Sequence, residues 1–184
     1  MTWQLSQDYK GKFEQIKAVL DAENCKNVLD IGCNAGAITN LFGEAGYFAV
    51  GVDQNVDCNG KHSKACIGEF KLMLENIERL PRFDAILLLS VLHQIIKENG
   101  DDYARRFIET LLKKCGTLIV ELAAIKAKYG YQVNRFNDND SKDIQGFLKT
   151  WIRDFAVCEF IGETNHNAAN EPHRYLFKLS QKCL

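Results

Sequence analysis

Near the start of the chain a short apolar segment is followed directly by a turn of small residues, and this combination limits the possible folds. The segment from Val28 to Gly36 reads Val-Leu-Asp-Ile-Gly-Cys-Asn-Ala-Gly. Its first residues have the pattern of a buried strand, and a helical pattern follows Gly36. Small residues at such a junction let a ligand approach the backbone, and the free N–H groups of the helix start attract polar or anionic groups. The segment predicts a nucleoside-binding strand–turn–helix unit.

Strand-like and helix-like patterns alternate along the rest of the chain. The predicted elements are a helix at 9–20, a strand at 27–31, a helix at 36–45, strands at 47–52 and 65–67, a helix at 70–80, a strand at 83–90, a helix at 103–112, a strand at 116–122, a helix at 144–151 and strands at 155–161 and 175–179. Residues 123–143 have no clear period and are predicted to form a loop or lid. The pattern predicts one α/β domain over residues 1–184. Its sheet is expected to be doubly wound, mostly parallel, seven-stranded and Rossmann-like, with an antiparallel C-terminal strand.

Bulk composition narrows the function. The formal net charge is −1 with both signs intermixed, so no global field attracts nucleic acid or an anionic membrane. The seven cysteines form an odd set without a Cys-x-x-Cys pair, and no histidine–carboxylate spacing predicts a metal site. We therefore expect reduced thiols, no metal, no signal peptide or transmembrane segment, and a cytoplasmic location. The sequence does not predict the oligomeric state.

The spacing of polar residues distinguishes two ligand classes. Dinucleotide sites use G-x-G-x-x-G, but here Asn34 takes the second glycine position and Ala37 the third. Asp53 closes the next predicted strand, seventeen positions beyond Gly36, where a carboxylate can accept both hydroxyls of a ribose. An ordinary tight turn without a ligand is the alternative, and an acid at this later position argues against it.

The segment from Asp30 to Gly36 resembles the first motif of class I S-adenosylmethionine-dependent methyltransferases, D/E-x-G-x-G-x-G. Asn34 replaces the middle glycine and still tolerates left-handed backbone angles. The resemblance implies S-adenosylmethionine as the cofactor and methyl transfer as the activity. The cofactor contacts that it implies are Asp30, Gly32, Asn34, Gly36, Asp53, Glu69 and Ser90.

Two of these implied assignments have alternatives. Glu69 falls near the family's adenine position, but a solvated carboxylate at a helix start explains it equally well. Ser90-Val-Leu-His93 matches the segment that faces the methyl group and the acceptor. His93 is the candidate catalytic residue, as a base or as a ligand for a phosphate oxygen; alternatively it bonds to backbone and shapes the wall of the site.

Short segments near the carboxyl end are similar to the methyltransferase half of bacterial O-antigen chain-terminating enzymes. They are Glu121-Leu-Ala123, Ile161-Gly-Glu163 and Pro172-His-Arg-Tyr175. Those enzymes methylate a terminal phosphate or sugar, and many carry a kinase domain, for which this chain has no counterpart. The resemblance implies a glycan, a glycan phosphate or a related small molecule as acceptor.

Cations beside aromatic residues suit the same kind of acceptor. They follow the fifth predicted strand, at the sheet edge where α/β domains bind ligands. The candidate substrate residues are Lys126, Lys128, Tyr129, Tyr131 and Arg135, with Arg174 farther along the chain. A solvated loop, and a surface position for Arg174, are the alternatives.

Three other functions are compatible with the sequence. They are an RNA methyltransferase acting on a terminal phosphate or nucleotide, a nicotinamide-dependent enzyme, and a non-catalytic module that binds S-adenosylmethionine. The balanced charge argues against RNA, and Asn34 argues against a dinucleotide.

Overall fold

The computed structural model describes residues 9–54, 65–123, 141–164 and 174–182. Its elements are α1 (Tyr9–Ala22), β1 (Asn27–Ile31), α2 (Ala37–Glu44), β2 (Phe48–Asp53), β3 (Ala65–Glu69), α3 (Leu74–Ile77), β4 (Phe83–Leu89), α4 (Leu92–Asn99), α5 (Asp101–Leu112), β5 (Cys115–Ala123), α6 (Ser141–Ile152), β6 (Ala156–Thr164) and β7 (Arg174–Gln181). The sheet of this part of the chain has the order β3-β2-β1-β4-β5-β7-β6. β7 is antiparallel to β5 and to β6, and the remaining pairs are parallel. The predicted seven-stranded sheet with an antiparallel C-terminal strand is confirmed.

Helices cover both faces of the sheet. The apolar residues of α1 and α2 form a core on one face, and those of α3 to α6 form a larger core on the other. β4 lies in the middle, with Ala85 and Leu87 in the first core and Ile86 and Leu88 in the second. A strand that is buried on both faces has no polar side to alternate with, which explains its uninterrupted apolar sequence.

One predicted helix is shorter than expected, and one helix was not predicted. The predicted helix at 70–80 is limited to α3, because Met73 is extended and the N–H of Leu74 donates to the hydroxyl of Tyr103 (3.2 Å). The apolar residues before Leu74 therefore pack on the core from a non-helical segment. α4 was not predicted from the sequence. Only Gly100, at φ 81°, separates it from α5.

The turn after β1 contains several residues with left-handed backbone angles. Gly32, Asn34 and Gly36 all have positive φ, at 76°, 51° and 76°. The left-handed conformation predicted to be tolerated at Asn34 is thus the observed one. At Gly32 a Cβ atom would lie 2.3 Å from Cγ2 of Val91, in the segment that follows β4. A glycine is required at position 32 because the turn after β1 and the segment after β4 contact each other there.

None of the helices in the described ranges combines the length and the apolar character that a membrane span requires.

The energetic cost of the close contact between Gly32 and Val91 can be measured by comparison with a second glycine. That glycine, Gly46, also has a positive φ, but a Cβ atom there would meet no neighbour. Gly46 has φ 93° and no atom within 4 Å of an added Cβ. Gly46→Ala should lower the free energy of unfolding by about 1 to 2 kcal/mol through backbone strain alone. Gly32→Ala should cost a further 1 to 3 kcal/mol, roughly, because the methyl group overpacks against Val91. Urea denaturation measures the free energy of unfolding of both variants. Equal losses of stability would show that Val91 moves aside without an energetic penalty.

Candidate active site

A cavity of about 450 Å³ opens beside the carboxyl ends of β1, β2 and β4. α1 contributes Tyr9 and Lys12 to its wall, and the start of β7 contributes Arg174. The sequence-predicted residues on the wall are Asp30, Gly32, Asn34, Asp53, Ser90, His93 and Arg174. The structure therefore brings together predicted cofactor, catalytic and substrate residues that are far apart in sequence.

Other predicted residues lie elsewhere. Gly36 is not among the lining residues; a Cβ there would lie 2.1 Å from Cδ1 of Ile67, so its small size serves packing against β3. Glu69 is exposed, pairs in register with Asp53 on the neighbouring strand, and also does not line the cavity. The five candidate substrate residues after β5 lie outside the described residues, namely Lys126, Lys128, Tyr129, Tyr131 and Arg135.

The predicted ribose acid is tied directly to the turn. The backbone N–H of Asn34 donates to Oδ2 of Asp53 over 2.9 Å. The N–H groups of Gly32 and Cys33 donate to the carbonyl oxygen of Val52, the residue before Asp53. The turn after β1 and the end of β2 therefore form one rigid edge of the cavity.

Asp30 is a buried carboxylate at the start of this edge. The hydroxyl of Thr39, in the first turns of α2, donates to its Oδ2 over 2.7 Å. Burial raises the pKa of Asp30 to about 6, against the opposing effects of the Thr39 hydrogen bond and the charge of Lys12. Burial also raises the pKa of the neighbouring Cys33 thiol to about 12, so this cysteine is not a nucleophile at neutral pH.

Glu121, on β5, is fully buried behind the cavity wall and has four partners. Lys12 Nζ lies 2.6 Å from its Oε1, and the hydroxyl of Thr164 donates to the same oxygen over 2.9 Å. Ser90 donates a short hydrogen bond to Oε2, and Arg174 Nη1 lies 3.4 Å from that oxygen. Burial by itself would raise the pKa of Glu121, but the charges of Lys12 and Arg174 and the hydrogen bonds lower it to about 2. Glu121 is therefore ionised at neutral pH.

Arg174 belongs to this cluster, because its Nη1 donates to the hydroxyl of Ser90 and lies near Glu121. Its side chain is only 5% exposed, so the alternative of a surface position is wrong. No role was predicted from the sequence for Lys12, Thr164 or the carboxylate of Glu121. A signal existed, since Lys12 lies on the apolar stripe of α1 with Ile16 and Leu20, and a buried charge needs a partner.

His93 lies in the first turn of α4 and is buried in the wall of the cavity. Burial and, to a smaller extent, the charge of Arg174 lower the pKa of His93 to about 4, against the opposing charge of Glu121. The imidazole is therefore neutral at pH 7. A neutral imidazole can accept a proton or only shape the wall, and both of the predicted roles remain open.

In the described residues, no group of three or more histidine, cysteine, aspartate or glutamate side chains is arranged to hold a metal ion.

A family model described as "Methyltransferase domain" matches residues 29–120, which is half of the chain. The match includes the turn after β1, Asp53 and His93. The three charged residues Lys12, Glu121 and Arg174 lie outside it. A search of curated proteins found no match.

Solved structures with the same fold include several methyltransferases. The bifunctional kinase–methyltransferase WbdD is 22% identical with a TM-score of 0.73, over 95% of this chain and 40% of that chain. The methyltransferase domain of bacterial CtHen1-C is 19% identical with a TM-score of 0.62, over 94% and 97%. Magnesium protoporphyrin IX methyltransferase ChlM from Synechocystis PCC 6803, with bound SAH, is 17% identical with a TM-score of 0.58, over 95% and 84%. The likeness is one of fold, and this chain spans about 40% of the length of WbdD.

The raised pKa of Asp30 predicts a pH-dependent stability. Because the folded pKa lies above the unfolded value of 3.8, ionised Asp30 destabilises the fold above pH 6, and the penalty disappears as the pH falls towards 4. Asp30→Asn keeps the shape and removes the charge. At pH 7.5 this variant should be more stable than the wild type by up to about 3 kcal/mol.

Urea denaturation between pH 7.5 and 4.5 should show the difference between the two proteins narrowing as the pH falls. Asp102→Asn, at an exposed position in the first turn of α5, is the control and should not be more stable than the wild type at pH 7.5. An Asp30→Asn difference that stays constant over this range would mean that Asp30 titrates normally.

Proposed function

The chain belongs to the methyltransferase domain family, as a class I methyltransferase with S-adenosylmethionine as its cofactor, and we propose that it methylates an oxygen of a carbohydrate, a glycan phosphate or a related small molecule. The observation that carries the proposal is the position of Arg174. This buried guanidinium lines the same cavity as the predicted cofactor residues and lies beside Ser90.

The edge formed by the turn after β1 and the end of β2 fits the cofactor. Asp53 offers a carboxylate for the ribose hydroxyls, and its bond from Asn34 fixes its orientation. The glycine at position 32 leaves backbone exposed to the cavity. Asp30 and Ser90 line the same cavity and are proposed as further contacts, whereas Gly36 and Glu69 would act from behind the wall.

When bound, S-adenosylmethionine supplies an electrophilic methyl group whose thioether leaving group needs no proton. The residues of the chain therefore contribute mainly alignment of the acceptor and exclusion of water. Arg174 offers a planar set of N–H donors, which suits the oxygens of a phosphate or a carboxylate. A neutral His93 beside it accepts a hydrogen bond from a sugar hydroxyl.

The acceptor argument depends on these side chains and not on the fold, because one fold hosts many chemistries. WbdD is a kinase–methyltransferase and ChlM a magnesium protoporphyrin IX methyltransferase, so fold neighbours differ in what they methylate. A buried cation in the cavity wall favours an acceptor with a negative charge or several hydroxyls.

The proposal can be tested with radiolabelled S-adenosylmethionine and matched acceptors. The panel contains a sugar phosphate, the same sugar without phosphate, and an RNA oligonucleotide with a terminal phosphate. We expect methylation of the sugar phosphate, and Arg174→Gln should raise its KM about 10- to 100-fold because one charge-assisted contact is lost. Arg79→Gln, at an exposed position, is the control.

Two outcomes would contradict the proposal. Methylation of the RNA alone, with a steep salt dependence, would assign the protein to nucleic acid. An unchanged KM in Arg174→Gln would remove Arg174 from the acceptor site.

The role of His93 is tested by His93→Gln on the best acceptor of that panel. Because an anionic oxygen needs no base and the imidazole is neutral above about pH 5, we expect less than about a tenfold loss of rate. The profiles of the two enzymes should stay parallel from pH 5.5 to 8.5. A loss of about 10²- to 10⁴-fold would instead identify His93 as a general base.

A further inference from the structure

The side chain of Arg174 is held at both of its ends. At the backbone end, Arg174 is the first residue of β7 and pairs with Ala123 of β5 and Thr164 of β6. At the other end, its Nη1 donates to the hydroxyl of Ser90 and lies 3.4 Å from Oε2 of Glu121. Because a guanidinium is planar and rigid, a hydrogen bond to one of its nitrogens restricts the orientation of the whole group.

Ser90 has a backbone conformation that a serine rarely adopts. Its φ is 60°, in the left-handed region, directly after the last residue of β4. Residues other than glycine keep such angles only where the surrounding structure enforces them, and these positions are often functional. The hydroxyl of Ser90 donates to Oε2 of Glu121 and accepts from Nη1 of Arg174. The strained residue therefore places its hydroxyl between a carboxylate and a guanidinium.

The two oxygens of the Glu121 carboxylate have different partners. Oε1 lies 2.6 Å from Nζ of Lys12 and accepts from the hydroxyl of Thr164 over 2.9 Å, whereas Oε2 accepts from Ser90. The charge of Lys12 lowers the pKa of Asp30 as well as that of Glu121, so Lys12 interacts with two carboxyl groups. Glu121 is not among the residues that line the cavity. Its effect on a ligand therefore depends on the side chains that it holds.

We propose that Ser90, anchored by Glu121, is a positioning residue that fixes the guanidinium of Arg174 before the acceptor binds. A long side chain that becomes ordered only on binding loses rotamer freedom, and this loss weakens the affinity for the ligand. An arginine that is already oriented avoids the loss and favours an acceptor with matching oxygens, such as a phosphate. The proposal rests on the proposed role of Arg174 as the acceptor contact.

Two variants at the same carboxylate separate positioning from general support. Ser90→Ala removes the hydrogen bond to Oε2 of Glu121 together with the bond from Nη1 of Arg174. Thr164→Val removes the hydrogen bond to Oε1 and leaves the contact between Ser90 and Nη1 in place, so it is the matched control. Glu121 keeps its contact with Lys12 in both variants, and we expect both to fold.

Side-chain ¹⁵N NMR with bound S-adenosylhomocysteine measures the orientation of the guanidinium without any acceptor. The Arg174 signals are identified by their loss in Arg174→Gln. We expect slow rotation about the bond from Cζ to Nη1 in the wild type and in Thr164→Val. In Ser90→Ala the rotation should be about 10-fold faster, the effect of losing one hydrogen bond. Equal rates in the wild type and in Ser90→Ala would overturn the proposal.

A double-mutant cycle shows whether this orientation matters for the acceptor. The KM of the sugar phosphate is measured at saturating S-adenosylmethionine. Ser90→Ala should raise the KM about 3- to 10-fold when Arg174 is present, and less than about twofold in the Arg174→Gln background. Thr164→Val should leave the KM within about twofold of the wild-type value. An equal effect of Ser90→Ala in both backgrounds would mean that Ser90 does not act through Arg174.

The two measurements distinguish failure of this proposal from failure of the proposed function. If Arg174→Gln leaves the KM unchanged, Arg174 is not an acceptor contact and the proposed function fails, but the NMR rates still decide whether Ser90 holds the guanidinium. If Arg174→Gln raises the KM while Ser90→Ala changes neither the rotation rate nor the KM, the positioning role is wrong and the proposed function stands.

Discussion

Five separate segments of the chain meet at the buried carboxylate of Glu121. α1 contributes Lys12, the end of β4 Ser90, β6 Thr164 and β7 Arg174. A carboxylate taken out of water costs several kcal/mol, roughly, and only complete pairing compensates that cost. The cavity can therefore keep its shape only when all of these segments are in place. Three of the four partners also line the cavity, so the group that holds the fold together there also sets the geometry of the site.

The cavity wall contains residues from inside and from outside the region matched by the family model. The region matched by the family model contains the turn after β1, Asp53 and His93. Lys12, Glu121 and Arg174 all fall outside it, on the first helix and the last strands. The family match thus covers the cavity edge formed by the turn after β1 and the end of β2, and it does not cover the buried charge cluster. An inference about the acceptor has to start from that cluster.

The strands of the sheet were predictable because a strand that is buried on both faces has an uninterrupted run of apolar residues. β1 was predicted with the observed ends, and β4 was recognised from its apolar run. The turn after β1 was also predictable, since left-handed backbone angles restrict residue types so strongly that even Asn34 at the middle position is informative. The charge cluster was not predictable in the same way. Periodicity marks Lys12 and Glu121 as buried charges, but it does not say which of the 23 lysines and arginines faces which carboxylate. That pairing depends on how α1 and β7 cross the sheet edge.

The one reversed strand explains how Arg174 reaches the site. Ligands of parallel sheets bind at the carboxyl ends of the strands, so the useful residues usually follow a strand. β7 runs the other way, and its first residue, Arg174, pairs with Ala123 at the end of β5 and with Thr164 at the end of β6. In a parallel strand the same first residue would lie at the opposite edge, far from Ser90 and Glu121. The antiparallel C-terminal strand is therefore the feature that places the cation of Arg174 in the wall of the cavity.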